Sequence, residues 1–141
     1  MKKIFTLGLG ILMLAACSSD DNGGSTINSS NLTNKKWVAV SFVVFGVTIP
    51  VDVDYPDCPR DFVMFKPAGV FASTYHNASC EEFVDNGTWI MEGNTITTNE
   101  DGDITVAVVK KLTATQLEVT TQEDYNLDGQ METVTLIMTS N

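Results

Sequence analysis

Downstream of residue 31 the chain alternates apolar and polar side chains with a period of two, and clusters of Gly, Pro, Asn and Asp interrupt it roughly every 8 to 12 positions. That grammar predicts short β-strands over 37–45, 47–53, 61–65, 70–75, 88–91, 95–98 and 104–112, another around Leu117 and Val119, and a last one over 133–139. Lys66-Pro67-Ala68-Gly69 predicts a tight turn, because Pro presets φ and Gly tolerates the positive φ such turns demand. In the strand over 104–112, Ile104, Val106, Val108 and Leu112 share one face. In the last strand Val134, Leu136 and Met138 oppose Thr133, Thr135 and Thr139. The stretch 38–47 is apolar almost throughout and predicts burial on both faces. No segment carries a useful helical stripe; 78–85 allows one or two turns at most.

About eight short antiparallel strands in one small domain must dispose of their edges. Closing into an up-and-down β-barrel removes the edges outright. The fold class is therefore all-β, a small antiparallel barrel, with a two-sheet β-sandwich as the alternative, since periodicity is the same in both.

The first 16 residues follow a different pattern. Lys2 and Lys3 precede an uncharged apolar run over 4–16, the layout of a secretory signal and too short to span a bilayer comfortably. The run ends Leu14-Ala15-Ala16-Cys17, which resembles the lipobox of bacterial lipoproteins, where the Cys becomes the lipidated first residue. Residues 1–16 are thus expected to be a lipoprotein signal peptide, and 17–31 a lipidated Cys17 with a Ser/Asn/Gly/Asp-rich flexible tether. Residues 32–141 form the barrel domain. Ser18-Ser19-Asp20-Asp21-Asn22 resembles the acidic tract that exports many Bacteroidetes lipoproteins to the cell surface. The expected location is the outer membrane, lipid-anchored, at the cell surface or on the periplasmic face.

The chain of 141 residues carries 8 Lys and Arg against 18 Asp and Glu, a net charge of −10. Without Lys2 and Lys3 the basic count falls to 6 and the net charge to −12. Such a surface repels phosphate backbones and excludes a nucleic-acid role; it also disfavours anionic headgroups, so membrane attachment rests on lipid. With Cys17 lipidated, Cys58 and Cys80 are an even pair in an oxidising compartment and are expected to form a disulfide.

Several pieces, in order and spacing, resemble the lipocalin-like domain of small Bacteroidetes lipoproteins over about residues 32–139. They are Leu32 to Trp37, Cys58, the run Phe62-Val63-Met64-Phe65-Lys66 followed by Gly69-Val70-Phe71, and Cys80 ahead of Gly87-Thr88-Trp89. Gly93-Asn94-Thr95-Ile96 and the string from Leu112 to Val119 complete the match. The first motif departs from the family pattern, in which a Gly stands two residues before the Trp; here Asn34-Lys35-Lys36 occupy that stretch. The resemblance implies an up-and-down barrel with an internal cavity for an apolar ligand in some members. It names no ligand.

Three candidate chemistries remain. Asp124-Tyr125-Asn126-Leu127-Asp128-Gly129 offers oxygens at positions 1, 3 and 5 with Gly at 6, as a calcium loop requires, and Glu132 lies nearby. Position 12 is Thr135 rather than Glu, and a hairpin loop uses the same residue types for turn chemistry, which is the favoured reading. Calcium is the one cofactor considered. Trp37, Phe65, Phe71 and Trp89, with Phe42 and Phe62, either line a ligand cavity or fill the barrel; at about eight strands the filled interior is the commoner outcome. No catalytic residues are assigned: the single His76 reads as an exposed loop residue beside Cys80, and carboxylate pairs arise by chance in so acidic a chain. The expected function is a non-enzymatic, lipid-anchored protein that binds a small apolar ligand or a partner. The alternative is a structural or interaction module of an envelope complex, with a filled barrel and possible support from calcium.

Overall fold

The computed structural model describes residues 27–140; the signal segment, Cys17 and the tether through residue 26 lie outside them. Nine antiparallel strands form one sheet. They are β1 (Val38–Val44), β2 (Val47–Pro50), β3 (Phe62–Lys66), β4 (Val70–His76) and β5 (Glu82–Glu92), then β6 (Thr95–Glu100), β7 (Asp103–Leu112), β8 (Gln116–Glu123) and β9 (Glu132–Thr139). The order across the sheet is β2-β1-β9-β8-β7-β6-β5-β4-β3, so every neighbouring pair is consecutive in the chain except β1 and β9, and β2 and β3 lie at the two edges.

The sheet curls until the segment before β1 meets β3. Trp37 and Val63 exchange both backbone hydrogen bonds at 2.9 Å, and Asn34 donates to the Phe65 carbonyl at 2.9 Å. This seam is a bridge rather than a continuous ladder. Above it, the β2–β3 loop plugs the gap: the Val51 N–H donates to the Val40 carbonyl at 3.0 Å, and Arg60 Nη2 donates to the Ala39 carbonyl at 2.8 Å. Both bonds satisfy carbonyls of β1 that lack a strand partner there. Asn34 takes the left-handed conformation (φ 59°) in the stretch where the resemblance leads one to look for a glycine, and Asn tolerates it.

The up-and-down order separates two ends. The closed end carries the β3–β4, β5–β6 and β7–β8 turns, the incoming residues 27–37 and Ser140; the mouth end carries the β1–β2, β4–β5, β6–β7 and β8–β9 connections. At the closed end Trp37 and Leu32 are fully buried, with Phe65, Ile96, Leu117 and Met138 packed around them. The Trp37 indole N–H donates to the Leu32 carbonyl at 2.9 Å, so burying this ring leaves no donor unpaired.

Several expectations change. Ile27 packs against the core and Ser29–Asn31 form a 3-10 turn capped by the Asn28 side chain, so the folded body begins inside the stretch read as tether. β1 is half-buried rather than covered on both faces. A bulge between Ala39 and Ser41 puts Ala39 and Phe42 on the same side, which makes the apolar run look two-faced. In β7 a bulge between Val109 and Lys111 splits the face read from parity: Ile104 (65% exposed) and Val106 point outward, while Val109 and Leu112 pack on the core. β5 extends back to Glu82, through the stretch that allowed a helical turn. His76 is not a loop residue; it ends β4 and is 7% exposed.

Candidate functional site

The cavity arises from where small side chains fall. On β7 the inward residues are Asp103, Thr105 and Ala107, while the bulkier Ile104 and Val106 face solvent; Thr98 of β6 and Gly87 of β5 continue the small inward row. Small residues facing a closed wall of large ones leave a void. Its volume is about 490 Å³, within the range of small-molecule sites. The floor and far wall are apolar: Phe65, Phe71, Ile96, Val119, Leu136 and Met138.

Phe65 and Phe71 line this cavity with ring centroids 5.4 Å apart. Trp37 and Trp89, offered with them as lining residues, do not reach it. Trp37 is sealed beneath the floor, and Trp89 packs edge-on against Phe65 at 5.4 Å while its indole N–H donates to the Lys66 carbonyl at 2.9 Å. Their role is to hold Phe65 in place from the closed end.

The rim is acidic. Glu100, Asp101 and Asp103 border the opening, with Glu100 and Asp103 directly paired across β6 and β7. Burial first, then the carboxylates of Asp85, Asp101 and Asp103, hold the Glu100 carboxyl above its ordinary value. Tyr75 of β4 stacks on Phe83 of β5, centroids 5.5 Å apart and planes 15° apart. Its phenol is raised above the usual range chiefly by the Asp85 charge. Sequence reasoning missed this rim because Asn99-Glu100-Asp101-Gly102 reads as an ordinary turn. The signal was the alternation of Asp103, Thr105 and Ala107 with Ile104 and Val106, read from the wrong face.

At the mouth end, Cys58 and Cys80 are joined in a disulfide with their Cα atoms 5.2 Å apart. It ties the seam-filling β2–β3 loop to the β4–β5 turn. Asp61 Oδ1 lies 3.0 Å from His76 Nδ1 and accepts the His76 backbone N–H at 2.9 Å, fixing the same loop from its other side. Glu82 lies 3.9 Å from His76 Nε2, so both ring nitrogens face carboxylates.

The Asp124 loop spends its oxygens on its own backbone. Asp124 accepts the N–H groups of Asp128 and Gly129 at 3.0 Å each; Asp128 Oδ1 accepts that of Gln130 at 2.8 Å. Asn126 accepts the Asp128 N–H at 3.1 Å, and Glu132 Oε2 accepts the Tyr125 N–H at 2.8 Å. These are turn bonds, and among the described residues no three His, Cys, Asp or Glu side chains converge as a metal site.

A family model for the lipocalin-like domain matches residues 27–119, more than half of the chain. A lipocalin-like protein from Bacteroides uniformis has a similar structure, with a TM-score of 0.56 and 15% identity, over 79% of this chain and 99% of that one. An uncharacterized protein from Bacteroides eggerthii is similar with a TM-score of 0.53 and 14% identity, over 75% of this chain and 97% of that one. No curated protein matches the chain.

Proposed function

Since the chain belongs to the lipocalin-like domain family, we propose that it is a non-enzymatic binding protein that holds a small, largely apolar molecule inside the barrel and is anchored to the outer membrane by lipid on Cys17. The single observation that carries the binding reading is the cavity of about 490 Å³ on an apolar floor, open at one end. In a half-open pocket of that size, water wets the Phe, Ile, Val and Met side chains of the floor, and an apolar occupant takes that surface out of water. The anchoring reading rests on Leu14-Ala15-Ala16-Cys17 after an uncharged run. Residues 27–37 enter at the closed end, so such an anchor attaches on the side opposite the mouth.

The test uses the full chain with Cys17→Ser, which carries no acyl group and needs no detergent. Nile red, a neutral apolar dye, is expected to bind one to one with a blue shift. Ala107→Phe, which fills the cavity from β7, is expected to abolish binding while the β-sheet circular dichroism stays unchanged. A wild-type pocket that takes up no dye overturns the carrier reading.

A second reading, an interaction module of the envelope, is favoured by one specific feature. Phe45 (66% exposed, φ 51°) and Leu127 (88% exposed, φ 61°) both hold bulky apolar side chains in the left-handed region at mouth-end loop tips. Each such conformation costs about 1–2 kcal/mol, and strain of this kind collects where a surface is used.

A further inference from the structure

The cavity has a floor of one character and a rim of another, and among the described residues no Lys or Arg lines it. Glu100, Asp101 and Asp103 line the opening; Asp85 of β5 lies outside the lining but close enough for its charge to act on both Glu100 and the Tyr75 phenol, and Tyr75 stacks on Phe83. We infer that the ligand is a cationic amphiphile, with an alkyl or aryl body on the Phe65–Phe71 floor and an ammonium group at the acidic, aromatic rim. This rests on the reading of the cavity as the binding site and deepens it by naming the ligand class.

Three arguments select a cation. The three carboxylates that line the opening, with the charge of Asp85 behind them, repel an anionic headgroup, and in a half-open site of reduced dielectric each contributes more than on a flat surface. Burial first, and then repulsion from Asp85, Asp101 and Asp103, raise the Glu100 carboxyl above its ordinary value; an ammonium placed among the carboxylates removes that repulsion. The stacked Tyr75 and Phe83 rings offer π-faces, and aromatic faces combined with carboxylates are how proteins recognise alkylammonium groups. A neutral ligand would use the floor and leave the rim's charge uncompensated. A fatty acid would place its carboxylate beside Glu100, Asp101 and Asp103.

The test is a displacement series on the full Cys17→Ser chain loaded with Nile red, using three competitors with one tail and below their micelle concentrations: dodecyltrimethylammonium, dodecanol and dodecyl sulfate. The cation is expected to displace dye at about a tenfold lower concentration than the alcohol, and the sulfate to be the weakest. Added salt is expected to narrow the cation's lead. In the Glu100→Gln, Asp103→Asn double variant the lead of cation over alcohol is expected to shrink to about threefold or less. Should that variant fail to bind dye, Asp101→Asn alone, at an exposed turn, is expected to reduce the lead in the same direction. If dye binds and the three competitors act alike, the cation inference falls while the carrier reading stands. If wild-type protein takes up no dye, both fall.

Discussion

Gly87 of β5 lies hard against the β6 backbone: a Cβ on it would lie 2.2 Å from the Asn99 carbonyl oxygen. No side chain fits there without parting the two strands at the Thr88–Asn99 pair. Gly87→Ala is therefore expected to destabilise by about 2 kcal/mol or more, read as a lower denaturant midpoint at unchanged slope. An unchanged midpoint would mean that β5 and β6 part without penalty. The same scale shows what was legible in the sequence. Leu117 and Val119 alternate with Gln116, Glu118 and Thr120 and are buried as that alternation implies. Ile104 and Val106 alternate equally well and are exposed, because period two says that a strand has two faces and not which one is inside. His76 looked exposed because nothing in the local sequence reveals Asp61, fifteen residues upstream, waiting to bond it.

Among elements, the strands with strong β-branched alternation were readable and β5 was not. Its first half, Glu82 to Gly87, carries two acids and an Asn-Gly step that signal a loop. It is a strand because every residue from Glu82 to Thr88 pairs with β4. Tertiary pairing overrides weak local preference. The cysteine pair was readable from compartment and parity alone, and its structural consequence lies between elements: it fastens the loop that fills the β1–β3 seam. Replacing both Cys58 and Cys80 with Ser is expected to cost about 3 kcal/mol from the freed loop, a fall in Tm of roughly 10–20 °C for a domain of this size. Thermal unfolding of the double variant, beside wild type with and without reductant, measures it. A Tm within a degree or two of wild type would mean that Val51, Arg60 and Asp61 hold the loop by themselves. The Asp124 loop shows the opposite limit: its residue types, and its carboxylates accepting the loop's own N–H groups, suit both a cation and a turn.

Over the whole molecule, net charge concealed a gradient. Five of the six cations among the described residues, Lys35, Lys36, Lys66, Lys110 and Lys111, lie toward the closed end, whereas Glu100, Asp101, Asp103, Glu123, Asp124 and Glu132 stand at the mouth. Composition alone argued against any approach to an anionic surface; the fold concentrates that repulsion at one end and relieves it at the other. The crowding at the mouth has a thermodynamic signature. Glu100 is raised in the folded protein by burial and by Asp85, Asp101 and Asp103, from a reference of 4.5. A carboxyl with a raised folded value binds its proton more tightly in the native state, so its contribution to stability falls as pH rises through that range and returns on acidification. At pH 7 its ionised form is thus a net cost, which Glu100→Gln removes. The variant is expected to melt about 1–3 °C above wild type at pH 7, a small gain because the rim is partly solvated. The difference is expected to vanish by about pH 4, where Glu100 is protonated in both states. Melting curves of the two proteins from pH 4 to 8 decide the matter: a gain that persists unchanged at pH 4 would come from packing, and the rim would not be the electrostatic trap on which the choice of a cationic ligand depends.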